Sequence, residues 1–162
     1  MRYLRRLVWY IASRLFIALI LLGILTVTFY YAMNATNIYV IVKDGMARRA
    51  QVVMMDEPVS SLDAYFTASW IERDPLVQSA IAGTDPYQNV SVTGFDHRIS
   101  LHSVWCWPWE DTATATVTER IPSIDGKAAG DGSVPAWTGG KYSMILTRES
   151  GNWKIRNITA VE

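Results

Sequence analysis

Residues 15–33 read LFIALILLGILTVTFYYAM, a run without a single Asp, Glu, Lys or Arg. The charge-free region continues to Val42, 28 residues in all. At ~1.5 Å rise per residue, the nineteen residues of the apolar core nearly match a hydrocarbon layer of ~30 Å. A transmembrane helix is therefore expected over residues 15–36, with Leu15, Phe16, Leu19, Leu22, Leu25 and Phe29 as its bulky lipid-facing side chains. A cleaved secretory signal has an apolar core of about 7–15 residues and small residues at the cleavage site. This core is longer, and the best cleavage candidate, Met33-Asn34-Ala35, sets a bulky residue where a small one is needed. A buried helix of a soluble core rarely stays apolar all round for this length. The reading is a retained anchor.

Arg2, Arg5, Arg6 and Arg14 precede the run and no acidic residue does. On the other side Lys43, Arg48 and Arg49 lie farther from the apolar core. This bias predicts a cytoplasmic segment over residues 1–14 and an extracytoplasmic domain over residues 37–162, in the cell membrane. Trp9 and Tyr10 near one end, and Tyr30 and Tyr31 near the other, suit the two membrane interfaces. Gly23 has Leu19 and Val27 four residues away, so the close-packing motif of paired membrane helices is missing.

The formal net charge is zero, but residues 43–162 carry 11 basic and 15 acidic residues. An outer domain of net negative charge argues against nucleic acid as a partner. Cys106 is the single cysteine, which excludes an intrachain disulfide and a zinc site built on several cysteines. An extracytoplasmic domain without disulfides fits a bacterial envelope.

Beyond the anchor, Ile38, Ile41, Val42, Met46, Val52, Val53 and Met54 recur at helical spacing, so helix is expected to run on to Met55, with Gly45 as an interruption or bend. Asp56-Glu57-Pro58 ends it. A second helix is expected from Ser60 or Ser61 to Ile71, opened by a Ser60/Asp63 capping box, and a third from Leu76 to Ala82. The pattern then changes to period two: Val90 to Phe95, Ile99 to Trp109, Asp111 to Ile121, Lys141 to Arg148 and Trp153 to Val161 read as strands. Residues 122–140, rich in Gly, Pro and Ser, read as a loop, and Glu149-Ser150-Gly151-Asn152 as a tight turn. Helices first and antiparallel strands second make the outer domain α+β.

The closing segment YSMILTRESGNWKIRNI (residues 142–158) is a strand, a Gly-containing turn and Trp-Lys-Ile with a further apolar residue at Ile158. In this, and in its helix-then-strand order, the region from about residue 37 to 162 resembles the nuclear-transport-factor-2-like superfamily. The resemblance implies N-terminal helices packed into a strongly curved, cone-like antiparallel sheet. A membrane anchor ahead of such a domain is similar to the inner-membrane assembly component of bacterial type IV secretion and conjugation channels, and to anchored accessory proteins of lipid-transport complexes and sporulation channels. It implies a non-enzymatic scaffold or assembly subunit whose partners are the lipid bilayer, other envelope proteins and further copies of itself. The alternative is a tethered small-ligand-binding or enzymatic cone.

Enzymes of that superfamily place a carboxylate, Tyr or His inside the cone, and Asp96, His97 and His102 are the candidates here. His97 and His102 are an odd number apart, so a regular strand would turn them to opposite sides. No third ligand stands at a metal-binding spacing, so neither a metal nor a cofactor is expected. Cys106 has no neighbouring base in sequence and reads as a buried thiol. The sharpest cluster is Trp105, Trp107 and Trp109, which at period two share one face unless Pro108 bends the strand. They are candidates for a partner surface or pocket wall, against the plainer reading of core packing. Trp137, alone in the Gly/Pro-rich loop, joins them as a candidate.

Overall fold

The helix does not end where the apolar run does. In the computed structural model, which describes residues 2–129 and 132–161, one helix, α1 (Arg2–Met54), extends for 53 residues, about 80 Å. Along it the environment changes once. The most apolar 18-residue window has mean hydropathy 2.3 with none of it buried, which makes α1 long and apolar enough to cross a membrane. Leu15, Phe16, Leu19, Leu22, Leu25 and Phe29 are all exposed. From Tyr31 onward one face turns inward: Asn34, Ile38, Val42 and Met46, four residues apart, are buried, followed by Arg49, Ala50, Val52, Val53 and Met54. The second half is thus the core helix of the domain and is built on ordinary amphipathic spacing.

Gly45 does not interrupt α1. A Cβ at that position would meet Tyr65 Cβ at 3.0 Å and Ile155 Cδ1 at 3.2 Å, so the glycine permits a close approach to the domain. The helix stops at Asp56, which adopts a left-handed φ of 53°, a conformation Asp tolerates better than most residues. Pro58 follows.

The expected second helix is corrected to fragments: a 3-10 turn at Val59–Leu62 and a single helical turn, α2 (Ala68–Ile71). No side-chain capping bond forms at the 3-10 turn, whose N-cap is Pro58. The reason lies between the fragments. Thr67 N–H donates to the Ile155 carbonyl at 3.0 Å and Ile155 N–H to that of Tyr65 at 2.7 Å, so a sheet strand takes the backbone groups a helix would need. The expected third helix forms as α3 (Pro75–Ile81). Asp74 caps it, accepting from Leu76 and Val77 N–H groups while also receiving Arg49 Nε at 2.8 Å. This buried ion pair joins α3 to α1.

Six strands follow among the described residues: β1 (Val90–Phe95), β2 (Arg98–Cys106), β3 (Thr112–Arg120), β4 (Ile124–Ala128), β5 (Gly140–Glu149) and β6 (Asn152–Ala160). They form two open antiparallel sheets, β1-β4 and β2-β3-β5-β6. The β5–β6 turn has Ser150 at φ 51° and Gly151 at φ 84°, the left-handed pair that matches strand twist in a two-residue hairpin.

Residues 122–140 are not all loop. Strand β4 lies inside them, paired with β1, and Gly126 is what lets it approach: a Cβ there would stand 2.8 Å from the Ser91 carbonyl oxygen. Ala113, Ala115 and Val117 of β3 face inward with Met144, Leu146, Trp153 and Ile155, forming the main core under Ile38, Val42 and Met46. A second, smaller cluster gathers Val53 and Met54 of α1 with Tyr87, Val92 and Trp137.

Candidate functional site: the aromatic tip beside the long helix

The period-two reading sets Trp105, Trp107 and Trp109 on one strand. Only Trp105 lies in one. Strand β2 ends at Cys106, and Pro108, which has no N–H to give to a ladder, falls in a turn that Glu110 N–H closes on the Trp107 carbonyl at 3.2 Å. The rings nevertheless meet. Trp105 and Trp107 are edge to face at 5.6 Å, and Trp107 and Trp109 stack at 5.0 Å. They are not core: Trp105 is 59%, Trp107 38% and Trp109 71% exposed. Cys106, between the first two, is buried. Burial pushes its thiol above the ordinary value, with Arg148 acting weakly in the opposite sense, so the sulfur is held as the unreactive protonated form.

This tip leans on α1. The Tyr31 hydroxyl donates to the Val104 carbonyl at 2.7 Å. Three residues on, Asn34 is buried and accepts from Arg148 at 3.0 Å and from the Trp153 indole at 3.4 Å. Arg148 also stacks on the Trp153 ring, 4.6 Å from its centre. Between the tip and the helix lies an apolar cleft of about 210 Å³, lined by Val27, Thr28, Tyr31, Trp105, Cys106, Trp107 and Pro108.

Trp137 is not part of this surface. It is buried, and its indole N–H donates to Glu119 Oε2 at 3.2 Å. Glu119 is fully buried and its other oxygen pairs with His97 Nε2 at 3.0 Å. The carboxylate occupies the inward parity of β3, after Ala113, Ala115 and Val117. That parity was the signal for it in the sequence, since the segment 111–121 places every second residue on one face. Beside this trio is a hollow of about 590 Å³ lined by Glu119, Arg120, Trp137 and Lys141 among others.

The remaining candidates are dispersed. Asp96 pairs with its neighbour Arg98 at 2.6 Å. His102, at a bulge in the β2–β3 ladder, bonds Thr118 Oγ1 at 2.8 Å. His97 and His102 thus face opposite sides of β3, meeting Glu119 and Thr118 respectively. Of the arginines before the apolar run, Arg6 is exposed and Arg14 sits over the Tyr10 ring at 5.3 Å; the side chains of Arg2 and Arg5 lie outside the described residues. Among the described residues no group of His, Cys, Asp and Glu is arranged to hold a metal ion.

Compared with family models, curated proteins and solved structures, the chain matches none.

Proposed function

We propose that this chain is a single-pass membrane protein whose outer domain is a non-enzymatic scaffold, an assembly subunit of a bacterial envelope complex of the secretion, conjugation or sporulation channel type. The observation that carries the reading is the continuity of α1. The same helix supplies the apolar span and, from Tyr31 on, the core of the domain. No linker allows the domain to wander, so its faces meet neighbours in a fixed pose. Confinement raises the effective concentration of such a module and makes weak pairwise contacts sufficient. The arginines before the span support a cytoplasmic N-terminus, with the domain outside. The helix-then-sheet order supports the likeness to cone-fold assembly components, and the curvature that likeness calls for belongs to this proposal.

The ionisable groups that an enzymatic cone would use are already engaged. Both oxygens of Glu119 are taken, by His97 and Trp137, and Asp96 is paired with Arg98. A general base must reach its substrate, and the side chains of His97 and Glu119 are only 7% and 0% exposed, which supports scaffolding over catalysis.

The test is crosslinking of the full chain in bacterial membranes, combined with protease access from each side. The expected result is a crosslinked species of defined mass and a domain digested only from the extracytoplasmic side. A domain that stays monomeric and uncrosslinked, or is digested from the cytoplasmic side, contradicts the proposal.

A further inference from the structure

We propose that the β2–β3 tip is a second membrane contact: Trp105, Trp107, Pro108 and Trp109 rest in the outer interface of the bilayer, and a lipid acyl chain fills the cleft between them and Val27–Tyr31. The inference rests on α1 spanning the membrane and goes beyond that reading by assigning a lipid site to the domain itself.

The tip sits at the end of the apolar core. The Tyr31–Val104 bond fixes the tip against α1 at residues 27–31. Those residues lie inside the apolar core that ends at Met33. Val27 is six residues short of that end and Tyr31 two, hence about 9 Å and about 3 Å inside it. A helix placed in a bilayer by its apolar core therefore carries the tip to the boundary between acyl chains and headgroups. The cleft is continuous with the lipid-facing side of the helix, since Val27 is also an exposed residue of the span.

Three exposed indoles at a hairpin turn suit the interface, where the ring is sheltered and the N–H remains wet. The indole N–H groups of Trp137 and Trp153 are used inside the domain. Among the described residues, those of the tip have no protein acceptor, which leaves them for headgroup oxygens. The cleft walls offer water little: the Thr28 hydroxyl is bound to the Ile24 carbonyl at 2.8 Å, the Tyr31 hydroxyl to Val104, and the Cys106 thiol is buried. Glu110 and Asp111, both exposed, follow the tip directly. Carboxylates stay on the aqueous side, so they limit insertion to the interface and give anionic lipid no attraction to the tip.

The experiment uses the full chain in phosphatidylcholine nanodiscs containing lipids brominated at shallow or deep acyl positions. In a Cys106→Ala background, one fluorophore is attached at Leu19→Cys in the span, Trp109→Cys at the tip, or Lys127→Cys on β4. The expected result is deep quenching at position 19, and shallow-lipid quenching at position 109 several-fold stronger than at 127, with position 109 shielded from aqueous iodide. Position 109 behaving like 127 while 19 is quenched overturns the lipid seat and leaves the anchor standing. Position 109 shielded from lipid and iodide alike means that protein covers the tip, and also overturns it. No quenching at 19 removes the anchor and the proposal together. Because labelling replaces a tip residue, the unlabelled chain supplies a second readout. Shallow brominated lipid should quench a larger share of tryptophan emission in the native chain than in the Trp105→Phe/Trp107→Phe/Trp109→Phe variant, and equal shares contradict the proposal.

Discussion

The hydroxyl of Tyr31 donates to the carbonyl of Val104 at 2.7 Å, joining the apolar half of α1 to the sheet across 73 residues of sequence. From Arg14 to Tyr30 every residue of α1 is exposed; beyond the bond one face is buried. It is the point at which the same helix changes from an exposed apolar stretch to a core element. Tyr31→Phe keeps the ring and removes the bond. The expected loss is about 1 kcal/mol, read as a lower denaturation midpoint of the full chain in detergent. An unchanged midpoint would show that ring packing alone holds the joint.

Gly45 and Gly23 lie on the same helix and predict opposite behaviour. Nothing stands within 4 Å of a Cβ at Gly23, whereas one at Gly45 meets Tyr65 at 3.0 Å. Replacing a mid-helix glycine by alanine gains up to about 1 kcal/mol of helix propensity in water, while overpacking a core costs about 1–3 kcal/mol. Gly45→Ala is therefore expected to lower the Tm of the domain and Gly23→Ala to leave it unchanged. A higher Tm for Gly45→Ala would mean that the approach of Tyr65 is looser than it stands here.

Glu119 is fully buried and accepts from His97 and from Trp137. Glu119→Ala strands both partners, and each buried group left unpaired costs about 1–3 kcal/mol. Glu119→Gln keeps the size and one acceptor, so its loss should be the smaller. Urea titration followed by tryptophan emission measures both, and Trp137 itself should become more accessible to iodide in the alanine variant. Equal stability for all three chains would show that the trio adds nothing to the fold.

Alkaline pH should weaken the domain. Burial pushes up the thiol of Cys106 from its ordinary 9.0; burial, and then the charge of Asp85, push up the phenol of Tyr87 from 10.0; and burial first, with Glu119 among the lesser causes, does the same for Tyr142. Each group holds its proton more tightly folded than unfolded. Its contribution is present in full below the unfolded value and is lost as pH rises through the folded one. Stability should be flat with respect to these groups near neutrality and fall from about pH 9 upward. A midpoint that rises with alkali over that range contradicts these environments.

What could be read from the sequence follows from what determines each element. The long helix, α3 and the β5–β6 hairpin are set by local periodicity and turn chemistry, and the residues themselves display both. Residues 60–71 carry a helical stripe, yet the strand at Ile155 takes the backbone of Tyr65 and Thr67, a non-local competition that no window of sequence contains. Strand β4 is hidden because Gly126, a loop signal, is there for close strand approach. In the candidate site, Trp105, Trp107 and Trp109 are legible as a cluster because they are neighbours in the chain. The burial of Trp137 depends on Glu119, 18 residues earlier. Only the inward parity of β3 announced that glutamate, and charge at an inward position reads as surface until its partners are known. The contact of the tip with Val27–Tyr31 joins segments some 75 residues apart and leaves no local trace.

The most direct test of the central claim, that one unbroken helix is both membrane span and domain core, is amide hydrogen exchange on the full chain in nanodiscs. The account predicts continuous protection from Leu15 through Met54, with no gap at Met33–Ile38 where span passes into domain. Exchange at Met33–Ile38 as fast as in an unstructured peptide, with protection on both sides, would contradict it, because the anchor and the domain would then be separate bodies joined by a flexible link.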